Sequence, residues 1–428
     1  MKPLFIISCP IDTYSGYGAR SRDIVKTFIE LNKFNIKILP QRWGNTPWGF
    51  IEDHEEWHFL QPFILESNEV DKQPEIWAQI TVPNEFQPIG KYNIGITAGI
   101  ETTSCDPSWV EGLNKMDLNI VPSNHSKKVF EDIKYEKRDK QTNSPMGTLK
   151  LNKPIEVLFE GIDLDSYKFL DKKEISLDLS NIKESFAFLF VGHWMNGTLG
   201  EDRKNVGLLL KTFYETFKNQ KQSPALVLKV SGAGCSYMDK KKILDKIYEV
   251  KQTVNATTLP SVYVLHGELS NKEMNELYNH PKVKSMVSLT KGEGFGRPLL
   301  EFTQSKKPIL ATNWSGHIDF LHKNYSTLLP GEITPVHPSA HVPNIILKES
   351  GWFSPDINEI HKKLVDIFVN YKQYQEPAKK QAAYSKNRFS IKCMETVLQK
   401  YIEDYIPNFP ELVELKLPEL TLPELEEL

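Results

Sequence analysis

The strongest constraint on the fold is a repeated order of strand, glycine loop, helix and strand. In the first half, the apolar run 4–7 leads into a loop containing Gly16 and Gly18. Apolar residues at helical spacing follow, and residues 35–39, with Ile36, Ile38 and Leu39, are predicted to form a second strand. Two strands joined through a helix lie parallel, and this alternation is typical of an open α/β sheet. The first half is therefore predicted to form a doubly wound sheet.

The second half of the sequence repeats the same alternation of strands and helices. A buried strand is predicted at 186–191, a helix at 202–217 and further strands at 225–230, 262–265, 285–289 and 308–311. Ligands of such sheets bind at the carboxyl ends of the strands. The predicted fold class is α/β, with two Rossmann-like, doubly wound parallel-sheet domains facing each other across a cleft. The predicted site lies in that cleft.

Polar stretches and prolines indicate the domain boundaries. We expect an N-terminal domain over 1–165, a linker with little core over 166–183 and a C-terminal domain over 184–380. A final helix is predicted over 381–405, and residues 136–153 are predicted to be a loop. The tail 406–428 repeats Pro-Glu-Leu, and its prolines exclude a helix. It is either a surface or disordered tail or a docking motif for a partner.

Composition excludes several classes of protein. The chain has 428 residues, 40% hydrophobic and 25% charged, with a formal net charge of −3. A mostly disordered chain and a strongly basic nucleic-acid binder are therefore disfavoured. The four cysteines form no CxxC pair, so neither a disulfide framework nor a zinc site is predicted, and a reducing cytoplasm is expected. Without a clear apolar span or basic amphipathic helix, we expect a cytoplasmic protein, with peripheral membrane association left open.

The strongest chemical signal is the segment 291–301, Lys-Gly-Glu-Gly-Phe-Gly-Arg-Pro-Leu-Leu-Glu. Gly294 and Gly296 permit close backbone approach to a ligand, and Pro298 suits the first turn of a helix. The N–H groups at a helix start attract anions. Glu293 and Glu301 would flank such a site and accept hydrogen bonds from hydroxyl groups. This layout suits a nucleotide-sugar.

At these residues the sequence resembles the retaining family-4 glycosyltransferases of GT-B fold. Their signature is a glutamate, seven residues and a second glutamate, which Glu293 and Glu301 match. Segments that resemble other parts of the family's pattern follow in the right order, at 121–130, 158–169, 202–205 and 264–278. The resemblance extends over most of residues 1–405 and implies that the final helix packs back on the first domain.

The resemblance implies roles for particular residues. Glu293 would hold the transferred sugar, while Arg203 and Lys204 would neutralise the diphosphate leaving group, and these three are the expected catalytic residues. Glu301 would hold the ribose hydroxyls. The other expected donor-binding residues are Gly294, Phe295, Gly296, Arg297, Pro298, Leu299, His266, Gly16 and Gly18. Transfer would proceed with retention, and the leaving diphosphate would assist deprotonation of the acceptor. No metal and no cofactor are expected.

The sequence also departs from the family's pattern. Many relatives carry an arginine after the first strand of the second domain, where His193 stands here, and Glu101 stands where many have a histidine. Glu101, Arg20 and Trp43 are the weaker expectations for the acceptor side, and the aromatic stretch 43–63 could equally be core. UDP is the donor base expected by default. The acceptor, which could be a glycan, lipid-linked sugar, protein or modified nucleic acid, and the oligomeric state are left open.

Other functions fit the same residues. A sugar-nucleotide epimerase or a phosphorylase could use this architecture, and a carbohydrate-binding protein could retain a relic of the site. An epimerase would turn over a nucleotide-sugar without an acceptor. A binding protein would hold a sugar and release no nucleotide.

Overall fold

The computed structural model describes residues 2–67, 72–139, 141–195, 197–232 and 234–409. It contains two six-stranded sheets, and all their neighbouring strands run parallel. The predicted fold class, two doubly wound Rossmann-like domains, is confirmed. From Pro410 on, the Pro-Glu-Leu tail lies outside the described residues.

The N-terminal sheet has the order β2-β1-β3-β4-β5-β8. The elements of this half are β1 Leu4–Cys9, α1 Gly16–Leu31, β2 Asn35–Pro40, α2 Phe50–Asp53, β3 Ile76–Ile80, β4 Tyr92–Ile96, α3 Pro107–Leu113, β5 Leu118–Val121, α4 Asn124–Asp132, β6 Tyr135–Arg138, β7 Pro145–Leu149 and β8 Ile155–Val157. The strands are almost continuously apolar because helices cover both faces of the sheet. Phe5 of β1 meets Phe28 of α1 edge to face, with 4.8 Å between ring centroids.

The C-terminal sheet has the order β11-β10-β9-β12-β13-β14. Its half contains β9 Ala187–His193, α5 Val206–Phe217, β10 Ala225–Ser231, α6 Tyr237–Gln252, β11 Val262–Leu265, α7 Asn271–Asn279, β12 Val283–Ser288, α8 Arg297–Phe302, β13 Ile309–Thr312, β14 Thr327–Leu329, β15 Gly331–Pro335, β16 Gly351–Pro355, α9 Ile357–Val369, α10 Tyr371–Arg388 and α11 Ile391–Tyr405. The hairpin β15–β16 bridges the halves, since the Thr103 N–H donates to the Gly351 carbonyl at 3.0 Å.

Over its described residues the chain crosses between the halves twice, and the two crossings lie side by side. The Ile162 N–H donates to the Phe389 carbonyl at 2.7 Å, and the Ile391 N–H donates to the Ile162 carbonyl at 3.0 Å. After the second crossing, α11 runs along the N-terminal domain. Its buried residues Met394, Leu398 and Ile402 belong to that domain's apolar core.

Several local predictions were wrong. Residues 136–153 include most of an antiparallel hairpin, β6–β7. Between its strands, Asp139 accepts from the Gln141 and Thr142 N–H groups, which favours a turn there. The segment 381–405 spans parts of two helices, since α10 ends before Phe389 and Ser390 caps the start of α11. The expected linker contributes buried core side chains, namely Tyr167, Leu179 and Ile182.

The start of one helix was predicted wrongly, and several other helices, α6 and α7 among them, were not predicted. The helix predicted from 202 begins at Val206, after an Asn205 with left-handed backbone (φ 58°). Helices α6 and α7 were not predicted, because charged residues mask their narrow apolar faces. Within the described ranges, no helix combines the length and the apolar character that a membrane span requires.

Candidate functional site

The carboxyl edges of the two sheets face each other, and two loops meet there. The loop after β4 packs against the loop after β12, which contains the Glu293 motif. A Cβ at Gly292 would overlap the Glu101 carbonyl oxygen, and a Cβ at Gly294 would overlap the Ala98 carbonyl oxygen. These glycines therefore permit a close backbone contact between the two domains at the floor of the cleft.

Glu293 is the centre of an ion-pair cluster in this cleft. Lys204 Nζ donates to Glu293 Oε1 at 2.6 Å, and Arg203 Nη1 donates to Glu293 Oε2 at 3.2 Å. Arg203 Nη2 also lies 3.0 Å from Glu101 Oε1 of the opposite domain. The structure thus brings together the three expected catalytic residues and the weaker candidate Glu101.

The turn before α5 holds the two cations in place. The Lys291 N–H donates to the Arg203 carbonyl at 2.8 Å, and Arg203 Nη1 donates to the Gly292 carbonyl at 2.7 Å. Because α5 begins at Val206, Arg203 and Lys204 lie ahead of the helix rather than in its first turn. Their side chains cross to the loop after β12 and are fixed relative to Glu293.

The cluster keeps Glu293 ionised. Burial by itself would raise the pKa of this carboxyl, but Lys204 and Arg203 outweigh it and hold the pKa at about 2. The Glu293 N–H donates to Ser315 Oγ at 2.9 Å, which also fixes the loop. At neutral pH Glu293 is a charged hydrogen-bond acceptor and has no proton to donate.

Glu301 lies one turn into α8 and belongs to a second charged cluster. It accepts from Arg297 Nε at 3.0 Å and from the Tyr278 hydroxyl at 3.2 Å. Arg297 Nη1 in turn donates to Asp23 Oδ2 of the N-terminal domain at 2.5 Å. Burial raises the pKa of Glu301 to about 7, even though Arg297 favours its ionised form.

The helix start expected to attract anions is partly occupied. Helix α8 has six residues, and Pro298 has no N–H. The N–H groups of Leu299 and Leu300 donate to the Gly296 carbonyl at 3.0 and 3.3 Å. Gly296 has φ 102°, which favours glycine. An anion here would therefore depend on amides of the loop that precedes the helix.

Phe295, an expected donor-binding residue, directs its side chain into the core. Its ring is buried and lies 5.0 Å from the Phe320 ring, centroid to centroid. The neighbouring Gly316 N–H donates to the Glu293 carbonyl at 2.9 Å. The phenyl ring thus anchors the loop in the core.

A cavity of about 250 Å³ opens beside Glu301 between the two domains. Among its lining residues are Gly16, Phe50, Trp57, Glu268 and Arg297. Such a cavity is large enough for part of a nucleoside and combines aromatic faces with carboxylates. The aromatic stretch 43–63 thus supplies both cleft lining and core, since Leu60 of the same stretch is buried in the N-terminal core.

His266 and Gly18 have structural partners. His266 Nε2 lies 2.8 Å from Asp239 Oδ2, and the same carboxylate oxygen accepts from the Gly232 N–H at 2.8 Å. This pairing ties the end of β11 to the start of α6. Gly18 packs so closely that a Cβ would overlap the Thr13 carbonyl, while Gly16 has open space around it.

The two other acceptor-side candidates are fixed within the N-terminal domain. Arg20 is buried and donates through Nη2 to the Leu158 carbonyl at 3.0 Å, while its Nε and Nη1 have no hydrogen-bond partner among the described residues. Trp43 stacks on Tyr17 with 3.9 Å between ring centroids. Neither side chain touches the Glu293 cluster directly.

Sequence reasoning missed two acidic members of the site, Asp23 and Glu160. Asp23 pairs with Arg297, and Glu160 Oε2 lies 3.9 Å from Arg297 Nη1. Burial raises the pKa of Glu160, and Arg20 and Arg297 oppose that effect. The signal for Asp23 was present, because Arg20, Arg22 and Asp23 are charged residues on a largely buried segment of α1.

Metal ligands are not grouped in the described residues. No set of three or more His, Cys, Asp or Glu side chains there has an arrangement suited to a metal ion. The carboxylates of the cleft are instead paired with arginine and lysine.

Comparison with known proteins identifies the fold. No protein-family model matches the sequence, and no curated protein matches it. Solved structures do match along almost the whole chain. HepE from Anabaena, in complex with UDP and glucose, superposes with a TM-score of 0.62 at 11% identity, over 94% of this chain and 99% of that one.

Two other solved structures give the same result. A glycosyltransferase from Rickettsia africae has a TM-score of 0.60 at 12% identity, over 94% of this chain and 98% of its own. Sucrose-phosphate synthase from Thermosynechococcus elongatus has a TM-score of 0.59 at 11% identity, with the same two coverages. Together with the two parallel sheets and the cleft between their carboxyl edges, these likenesses show that the chain has the GT-B fold.

Proposed function

We propose that the protein is a glycosyltransferase that moves a sugar from a nucleotide-sugar to an acceptor with retention of anomeric configuration. The observation that carries this proposal is the convergence of Arg203 and Lys204 on Glu293 in the interdomain cleft. Two cations beside a glycine-rich loop suit a diphosphate, and a carboxylate held ionised suits the hydroxyl groups of a sugar.

The proposed mechanism assigns the charges of the cleft to the reacting groups. Arg203 and Lys204 neutralise negative charge that develops on the diphosphate as the glycosidic bond breaks. Glu293, whose pKa is about 2, accepts hydrogen bonds from the sugar and stabilises positive charge at the reacting carbon. It cannot protonate the leaving group. The acceptor proton therefore passes to the departing diphosphate, and no cofactor is required.

Glu301 would bind the ribose at the other end of the donor. It faces the 250 Å³ cavity, which Phe50 and Trp57 line together with Glu268. In its ionised form it accepts hydrogen bonds from two adjacent hydroxyl groups. HepE binds UDP and glucose in its structure, which supports a UDP-sugar as the first donor to test. The free thiols of all four cysteines are consistent with a cytoplasmic location.

Thermal-shift titration with UDP-, GDP-, ADP- and dTDP-sugars tests the proposal. A ligand at a hundredfold excess over its Kd stabilises the folded state by about 2.7 kcal/mol. We expect one nucleotide class to raise the Tm, and Glu301→Ala to abolish that rise. Glu403→Ala, at an exposed position on α11, is the matched control and keeps the rise. If no nucleotide-sugar shifts the Tm at millimolar concentration, the donor site is refuted.

Product analysis separates transfer from the other activities of this architecture. A transferase releases nucleotide faster when an acceptor is supplied, and the product keeps the anomeric configuration of the donor. An epimerase would convert the donor sugar without an acceptor. A carbohydrate-binding protein would bind the sugar and release no nucleotide. An inverted product would refute the proposed retention.

A further inference from the structure

Helix α6 presents an unusual surface beside the cleft. Its 16 residues carry only two fully buried side chains, Ile243 and Val250. These face the core of the C-terminal domain. The helix starts at the carboxyl edge of the sheet, where Asp239 accepts from the Gly232 N–H and contacts His266. The first turn of the helix therefore lies at the end of the domain that carries the site, and the outer face of the helix is directed away from the core.

Large apolar side chains form a stripe along that outer face. Tyr237 is 79% exposed, Leu244 46% and Tyr248 64%. Their spacing of seven and four residues places them on one side of an α-helix. Met238, 59% exposed, lies next to them. Four large exposed apolar side chains within twelve residues of one helix are a candidate interaction surface.

The charges around this stripe are mainly positive. The helix carries five lysines and three acidic residues. Two of the acids are engaged locally, since Asp239 contacts His266 and Glu249 accepts from Thr198 Oγ1 at 2.8 Å. One lysine, Lys246, turns inward to the Met195 carbonyl at 2.7 Å. The outward-facing lysines are Lys240, Lys241, Lys242 and Lys251.

We propose that α6 docks the protein on an anionic membrane surface. The stripe of Tyr237, Leu244 and Tyr248 would enter the boundary between headgroups and acyl chains, where tyrosine and leucine are favoured. The lysines that border the stripe would reach anionic headgroups with their ammonium groups. This surface is separate from the cleft residues of the proposed function, so it can be tested independently.

The composition of the stripe favours a membrane over other partners. Leu244 and Met238 have no polar group to offer a nucleic-acid backbone, and phosphate binding alone would leave them in water. The positive charge of the outer face opposes the approach of a second copy in the same orientation. An anionic bilayer matches both the apolar stripe and its charge.

Flotation with lipid vesicles tests this proposal. We expect the full chain to float with vesicles of phosphatidylcholine and 30% phosphatidylserine. With vesicles of pure phosphatidylcholine it should remain in the bottom fraction. Replacing Lys240, Lys241 and Lys251, the lysines that flank the stripe on the helix, by glutamine should weaken partitioning about 100-fold, because each lysine near such a surface contributes about fivefold. Raising the salt concentration should weaken binding of the wild type and have little effect on this variant.

A second variant and a matched control separate the stripe from general hydrophobicity. The stripe variant is Tyr237→Gln, Leu244→Gln, Tyr248→Gln. We expect its partitioning onto the anionic vesicles to fall at least tenfold. The control is Ile357→Gln, Val365→Gln, Val369→Gln on α9, whose side chains are 49%, 39% and 68% exposed. It should float like the wild type.

Several results would overturn membrane docking by α6. One is a wild-type protein that does not float with anionic vesicles, and another is an equal loss in the α9 control. A wild type that is dimeric by light scattering, and becomes monomeric in the stripe variant, would assign the stripe to self-association. Binding of DNA that depends on the stripe and exceeds vesicle binding would assign it to a nucleic acid.

Discussion

Replacing Glu301 by glutamine should change how stability depends on pH. Glu301 is buried beside Tyr278 and Arg297, and burial raises its pKa from 4.5 to about 7. In the unfolded chain the same carboxyl ionises near its ordinary value. Between these two pKa values the unfolded state loses the proton while the folded state keeps it. Folding is therefore favoured at low pH and is progressively penalised as the pH rises from 4.5 to 7.

The size of the effect follows from the two pKa values. A carboxyl with a pKa of about 7 in the folded state and 4.5 in the unfolded state costs about 2.5 kcal/mol of stability between pH 5 and pH 8. Glutamine cannot ionise, so this cost disappears in the variant. Arg297 and Tyr278 keep their protonation states over this range. The difference in unfolding free energy between variant and wild type should thus shift by about 2.5 kcal/mol in favour of the variant.

Urea denaturation at pH 5, 6, 7 and 8 measures this shift for both proteins. Glu403→Gln is the control, because Glu403 is exposed and its pKa is lowered by Gln399 and Lys33. The difference in unfolding free energy between this control and the wild type should stay constant from pH 5 to pH 8. A difference between Glu301→Gln and wild type that is also flat would show that Glu301 is already ionised at pH 5, and the reasoning from burial would be refuted.

Three further substitutions test the cleft and the return of the chain. With the donor identified, Glu293→Ala should lower kcat on the order of 100-fold and change nucleotide binding much less; an equal loss of both would refute its role at the sugar. Gly294→Ala should destabilise the protein by about 1–3 kcal/mol in urea, because its Cβ would overlap the Ala98 carbonyl, whereas Gly234→Ala, with open space around it, should be neutral. Leu398→Ala should cost about 2–5 kcal/mol and unfold the N-terminal domain at lower urea; an unchanged midpoint would contradict the packing of α11.

Prediction from sequence worked where local patterns determine structure. Apolar runs located the central strands of both sheets, because strands covered on both faces are almost continuously apolar. The glycine and proline positions in 291–301 placed the turn and the start of α8. The order of these elements was enough to predict two parallel sheets and a cleft between them.

What the sequence did not reveal depends on contacts between distant segments. The pairing of Arg297 with Asp23 joins residues 274 positions apart, and neither residue belongs to a local motif that names its partner. The contact of Glu101 with Arg203 likewise forms only when two loops meet across the cleft. Helix α6 was missed because lysines and exposed apolar residues blur its helical periodicity, and that same surface carries the proposed membrane contact.

The return of α11 to the N-terminal domain has a consequence for biosynthesis. The core of that domain needs Met394, Leu398 and Ile402, which a ribosome makes only after the whole C-terminal domain. Part of the apolar surface of the first 160 residues therefore stays uncovered while the second sheet is synthesised. The C-terminal domain can complete its own core first. Its folding then carries α11 towards the N-terminal domain, since the two crossings are hydrogen-bonded side by side.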